Sequence, residues 1–429
     1  MAQVAETSIA NPVQISGTHP VRCGESIGNE EFWRIRSELS LDFCKWDSQV
    51  GDICTLFRQP LLITQQTWNF LSETAETVAA ELTSAEEELL GKPELFPALG
   101  VAGQLQSILK EASQFGATPT AARILRFDFH YTNDEWRISE VNSDVPGGYI
   151  EASRFTTMIA SLLPKLEPAG DPANCLVQSL VTGAREHNRI ALLSAPGFLE
   201  DQQITAFLAK QLQLEGIDTF LLHDPEELLW KDGRASVSKG RNQVAIDSIF
   251  RFYQGEWLAR LKPSAAWSWM FSGGRTPVAN PGSAILIESK RIPLICGSLN
   301  SCTDNWQRMV PECCDPALDH WQRSDEWVLK GTFANTGDSV HVREFTEERQ
   351  WAKLCSIAKK RPQEWVVQRR FIPAPVLAAF GLVYPCIGVF TINGKAAGIY
   401  GRVSTGLITN YAAMDAAVLI EKETDADET

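Results

Sequence analysis

A change of period near residue 124 constrains this chain more than any other feature. Upstream, WNFLSETAETVAAELTSAEEELL repeats apolar residues at helical spacing among many glutamates. ARILRFDFHY then alternates Leu125, Phe127, Phe129 and Tyr131 with Arg126, Asp128 and His130, the period of a strand. Thr132-Asn133-Asp134 supplies turn chemistry, and WRISEVN resumes the extended run, which predicts a hairpin. With residues 133–135 as its loop, Asp128 lies opposite Glu140 and Arg126 opposite Asn142, all four on one face. Like charges facing each other across a ladder are destabilising, so the two carboxylates need a reason. A hard cation supplies one: Mg²⁺ takes carboxylate and amide oxygens and keeps positions open for phosphate. Arg126, with its planar fork, suits a phosphoryl group. The alternative is a solvated face with a salt bridge, and a register slip of one residue would undo the pairing.

Three further stretches carry chemistry-bearing residues. In WVLKGTFANTGDSV a strand ends at Lys330 and runs into a loop between Gly331 and Gly337. Such loops let backbone N–H groups approach phosphate, with the lysine as a point charge, although a flexible hairpin with an exposed lysine is the far commoner use of this pattern. EWVVQRRFIP reads as a strand carrying Gln368. VFTINGKAAGIYGRVSTGLIT reads as a hairpin turning at Asn393-Gly394, with Arg402 just past its second strand, either an anion clamp or a surface arginine.

Between residues 189 and 224, RIALLS, EDQQITAFLAKQLQLE and IDTFLLHD form a βαβ pattern, the mark of a parallel sheet. No G-x-G-x-x-G follows its first strand, so a dinucleotide is not expected. VAIDSIFRFY extends this Rossmann-like unit as one more strand. The expected organisation is a mostly helical region over 1–120, the hairpin and following helix over 121–180, the Rossmann-like unit over 185–260, mixed helix and strand over 265–415 and an acidic tail over 416–429.

Composition narrows the function classes. With 39 Lys+Arg against 53 Asp+Glu, the net charge is −14, which repels nucleic acid and anionic lipid. Ten cysteines in 429 residues, with no C-x-x-C pair, suggest neither a disulfide scaffold nor a metal cluster. The longest uncharged stretch, 371–394, is broken by Pro373, Pro375 and Pro385, a poor membrane helix. The first twenty residues lack a signal-peptide pattern, and a cytoplasmic protein is expected.

Taken together, R-x-D, the twelve residues from Asp128 to Glu140, EVNSDVP, the K-G…G loop, the VVQ strand and the closing GIYGR resemble the glutathionylspermidine synthetase family. The resemblance covers most of 120–410. It implies an α/β (α+β) fold, an ATP-grasp body with permuted element order carrying an inserted Rossmann-like domain. The implied activity is ATP-dependent ligation of a carboxylate, such as glutathione or a peptide, to an amine, such as a polyamine, through an acyl phosphate. By resemblance, Asp128, Glu140 and Asn142 match the Mg²⁺ ligands and Arg126 the arginine on the transferred phosphoryl group. Lys290 and Lys330 match the ATP lysines, Gln368 the hinge strand beside adenine and Arg402 the arginine near the acid; Glu256 falls near the amine site. The family's N-A-D-T-P reads Asn142-Ser143-Asp144-Val145-Pro146 here. Two other readings stay open: a ligase joining a peptide carboxylate to an amino acid, and a nucleotide-binding module without turnover.

Overall fold

A computed structural model describes residues 19–50, 53–133, 135–184, 186–262, 267–302, 304–334, 337 and 339–422. The expected loose start, the end of the acidic tail and part of the loop after Lys330 lie outside them.

The alternating stretch folds as expected into the strands Ile124–Tyr131 and Trp136–Asn142. They form one side of an antiparallel sheet that continues through Gly381–Ile392 and Lys395–Ser404 to Met414–Ala416, with Val376–Ala378 at one end of the long strand. Leu125, Phe127 and Phe129 are completely buried in the main core. The helix Gln65–Leu90 packs on this sheet and joins the same core through Leu71, Ala75, Val78, Leu82 and Leu89, one apolar stripe of a helix. Thr64 caps it, accepting the Thr67 N–H at 3.1 Å. The hairpin at Asn393-Gly394 turns with both residues at positive φ, as a two-residue primed turn requires. Arg402 lies within the strand Lys395–Ser404 and not beyond it, because the ladder runs on to Ser404 opposite Tyr384.

The βαβ pattern gives a parallel sheet ordered Val278–Ala279, Ser248–Phe252, Arg189–Ser194, Asp218–Leu222, with Leu199–Leu214 as the crossover helix. The stretch VAIDSIFRFY is not a single strand. Asn242–Ala245 closes a three-stranded antiparallel ribbon, and only Ser248–Phe252 enters the parallel sheet. The Asp247 carboxylate between them accepts backbone N–H groups of Glu186, His187 and Arg189 and ends the first strand.

A third sheet orders Cys313–Cys314, Trp365–Arg369, Trp327–Gly331 and Val340–Val342. It carries its own small core of Trp321, Trp327, Leu329, Trp351 and Val367 beneath the helix Glu348–Lys360. Two further findings depart from the sequence reading. Val418–Glu421, expected to start an acidic tail, is a buried strand lying parallel to Leu61–Ile63 and antiparallel to Leu166–Pro168, because its apolar side chains complete that sheet. Cys296 and Cys302 form a disulfide with Cα atoms 5.3 Å apart, while Cys313 and Cys314 are free. No helix among the described residues is long and apolar enough to cross a membrane.

Candidate active site

The hairpin register sets Asp128 opposite Glu140 and Arg126 opposite Asn142. It does so by a route the sequence did not show. Near the turn Tyr131 pairs with Trp136, one residue out of the expected step, and a bulge beside Asp128 restores the alignment. Each of the opposed carboxylates has cationic partners. Asp128, fully buried, accepts from Arg126 Nε at 2.8 Å and Nη2 at 3.1 Å, from Arg402 Nη2 at 2.7 Å and from Asn142 Nδ2 at 3.3 Å. Burial alone would raise the Asp128 carboxyl, but the two guanidiniums outweigh it and hold the group well below the usual carboxylate range. Glu140 Oε2 lies 3.4 Å from Lys290 Nζ.

Room for this cluster comes from a missing side chain. Gly388 lies directly across the ladder from Asp128, and a Cβ there would come within 3.1 Å of Arg126 Cδ and Asp128 Oδ1. Below, the Tyr400 ring sits 5.1 Å from the Arg126 guanidinium and 5.5 Å from that of Arg402.

Lys330 is buried at the end of its strand and donates to the Ser139 carbonyl at 3.2 Å. Burial pushes its ammonium down to about 8, against the pull of Glu140. Lys290 donates to the Ala334 carbonyl at 2.8 Å and pairs with Glu140, so it ties the hairpin to the start of the loop after Gly331. Four cations (Arg126, Arg402, Lys290 and Lys330) thus face two carboxylates, an arrangement that favours a polyanion.

Two cavities of opposite character meet here. One is lined by Val328, Val340, Val342, Phe345, Phe371 and Ile408, with Lys330, Gln368 and His130 at its polar side. The other is acidic, with Asp47, Glu151, Glu200, Asp201, Glu256 and Asp415 among its lining residues. Glu140 and Arg402 belong to both walls. Burial pushes the carboxyls of Glu151, Asp201 and Glu256 up to about 7.

All nine residues singled out from the sequence therefore lie on one or both cavities or, for Asp128 and Lys290, in direct contact with residues that do. Sequence reasoning missed Lys45, Asp47, Glu151 and Asp415, and gave Asp144 no role. Asp144 accepts from Arg251 Nη2 at 2.5 Å and from the Gly255 N–H at 2.7 Å, which pins the segment bearing Glu256. The EVNSDVP and IFRFYQGEW motifs held that signal, since two charged residues on buried runs need partners. For Lys45 no pattern was available.

In structure the chain is similar to a glutathione synthetase-like effector (GSS30) from Globodera pallida in its apo form. The TM-score is 0.58 and the identity 12%, over 85% of this chain and 89% of that one. A protein described as a gamma-glutamylcysteine synthetase from Methylobacillus flagellatus KT aligns at TM-score 0.41 and 9% identity, over 79% and 84% of the two chains. No curated protein matches it in sequence. Residues 58–421 match the glutathionylspermidine synthase preATP-grasp family, and the chain belongs to that family.

Proposed function

We propose that this protein is an ATP-dependent ligase that joins a carboxylate to a cationic amine through an acyl phosphate. The observation carrying this reading is the meeting of the two cavities at one cationic cluster: an apolar slot with a polar edge on one side, an acidic cleft on the other. In this reading the adenine lies against Val328, Phe345 and Ile408, with Gln368 at its edge, and the phosphates point toward Lys330, Lys290 and Arg126. The acidic cleft draws in an amine carrying positive charge.

Among the described residues no three His, Cys, Asp or Glu side chains are grouped to hold a metal by themselves. Asp128, Glu140 and Asn142 nevertheless supply two carboxylates and an amide oxygen within one ladder, a donor set that fits Mg²⁺ arriving with phosphates as further ligands. When bound, Mg²⁺ would neutralise charge on the phosphate oxygens.

The chain's own groups account for the rest. Arg402 orients the substrate carboxylate, whose oxygen attacks the γ-phosphorus as ADP leaves. Arg126, Lys290 and Lys330 offset the charge that gathers on the transferring group. Glu256, with its carboxyl near 7, accepts a proton from the incoming ammonium; the freed amine attacks the acyl carbon, the C–O bond to phosphate breaks, and the second nitrogen proton leaves on the departing phosphate as the amide forms.

The test is a matrix of acids and diamines or polyamines with Mg-ATP, read as ADP release. Release that requires both partners supports ligation, and ¹⁸O from the acid must appear in the phosphate. Nucleotide binding without turnover in any pairing would leave a binding module; unlabelled phosphate alongside amide would exclude the acyl phosphate.

A further inference from the structure

The acidic cleft already contains a cation. Lys45, 3% exposed, extends its ammonium into a cage of three carboxylates: Asp47 Oδ1 at 2.8 Å, Asp415 Oδ2 at 3.1 Å and Glu151 Oε1 in direct contact. The Tyr400 hydroxyl donates to the other Asp415 oxygen at 2.6 Å, and the same ring underlies Arg126 and Arg402. One aromatic ring therefore separates the cage from the cationic cluster. Glu151, 4% exposed, leaves its second carboxylate oxygen buried without a hydrogen-bond partner.

This ammonium is fixed in place by its backbone. The helix Asn29–Asp42 ends with Cys44 at φ 62°, which turns the chain so that the Lys45 N–H returns to the Leu39 carbonyl at 2.9 Å. The Lys45 carbonyl accepts from Ser40, and the next backbone N–H, of Trp46, donates to Gln203 on the crossover helix at 2.9 Å. Lys45 is held on both sides of its Cα, so it behaves as a permanent occupant of the cage.

We infer that Lys45 is a specificity-determining residue that limits the charge on the amine partner. Its ammonium fills the buried carboxylate cage, leaving the more exposed Glu256, Asp201 and Glu200 for an amine with one cationic group beyond the reacting nitrogen. The favoured partner is a diamine, and longer polyamines gain nothing from their extra charges. This rests on the ligase reading of the cleft.

The experiment is a binding ladder by calorimetry at 0.15 M salt, with linear di-, tri- and tetra-amines of equal methylene spacing, on the full chain. Affinity in the unsubstituted protein rises less than threefold along the series. In Lys45→Met the third ammonium enters the vacated cage and raises affinity at least tenfold over the diamine, whereas Lys45→Arg restores the flat ladder. A steep ladder in the unsubstituted protein overturns the assignment even if Lys45→Met fails to fold. An unchanged ladder in folded Lys45→Met overturns it as well and leaves Lys45 a structural ion pair. Turnover is scored separately: no product in any acid–amine pairing, with the expected ladder, removes the ligase reading and leaves Lys45 as the limit on the charge of a bound amine, no longer of a reacting one.

Discussion

Asp128 and Glu140 look interchangeable in the sequence, yet their removal should differ sharply. Asp128→Asn keeps the shape and deletes the charge that two buried guanidiniums share, and the new amide NH₂ must face one of them. The side chains of Arg126 and Arg402 are only 8% and 15% exposed, so water cannot replace the lost partner. Removing one member of such a buried cluster costs about 3–5 kcal/mol. Glu140→Gln loses one contact of 3.4 Å from a side chain 23% exposed, which amounts to at most about 1 kcal/mol. The assay is urea unfolding at pH 7 with a chelator present, so that bound metal plays no part. Adding Arg402→Met to Asp128→Asn should recover stability, because it removes the uncompensated cation. An Asp128→Asn midpoint equal to that of the unsubstituted chain would refute this reasoning, as would equal losses for the two single variants.

Three other outcomes follow from the geometry. Lys330→Ala should weaken Mg-ATP binding at least tenfold by titration calorimetry, since a phosphate would lose a desolvated charge partner of about 1.5–3 kcal/mol. Gly388→Ala should lower both activity and stability, because its Cβ would press on the Tyr400 carbonyl at 3.0 Å and on the Arg126–Asp128 pair at 3.1 Å; kinetics and a thermal midpoint measured together check this, and an unchanged midpoint would contradict it. Asp201, pushed up to about 7 by burial and by Glu200 beside it, binds its proton more tightly folded than unfolded. Its penalty is therefore absent near pH 4, grows as pH rises and is complete above about 7. Asp201→Asn should accordingly stabilise the protein by about 1–3 kcal/mol at pH 8 and by nothing near pH 4; a variant less stable at both pH values would contradict this.

The fold was legible where one chain segment carried its own pattern. Alternation placed the hairpin through Asp128 and Glu140, the βαβ period placed the parallel sheet, and Asn393-Gly394 placed its turn. The bulge beside Asp128 escaped because a two-residue period says nothing about where a strand gains a residue. VAIDSIFRFY was read as one strand because apolar residues run on past Asp247, whose role as a backbone acceptor depends on a segment sixty residues earlier. The site was legible on its cationic side, where motif residues cluster in sequence. Its acidic side was not: Lys45, Asp47, Glu151 and Asp415 meet only in three dimensions, and each alone is an ordinary charged residue.

The sheet that joins Leu61–Ile63, Val418–Glu421 and Leu166–Pro168 bears on the order in which the molecule can be assembled. Its middle strand is among the last of the described residues to be synthesised, so on the ribosome both neighbours must wait with open edges until it emerges. The same neighbours flank the strand that leads directly from Asp415, a wall of the Lys45 cage. The wall that carries Asp415 is thereby braced by a strand that cannot pair until about 350 residues after Leu61–Ile63 have been made, and a nascent chain short of residue 418 would carry Asp128, Arg402 and Asp415 without that brace.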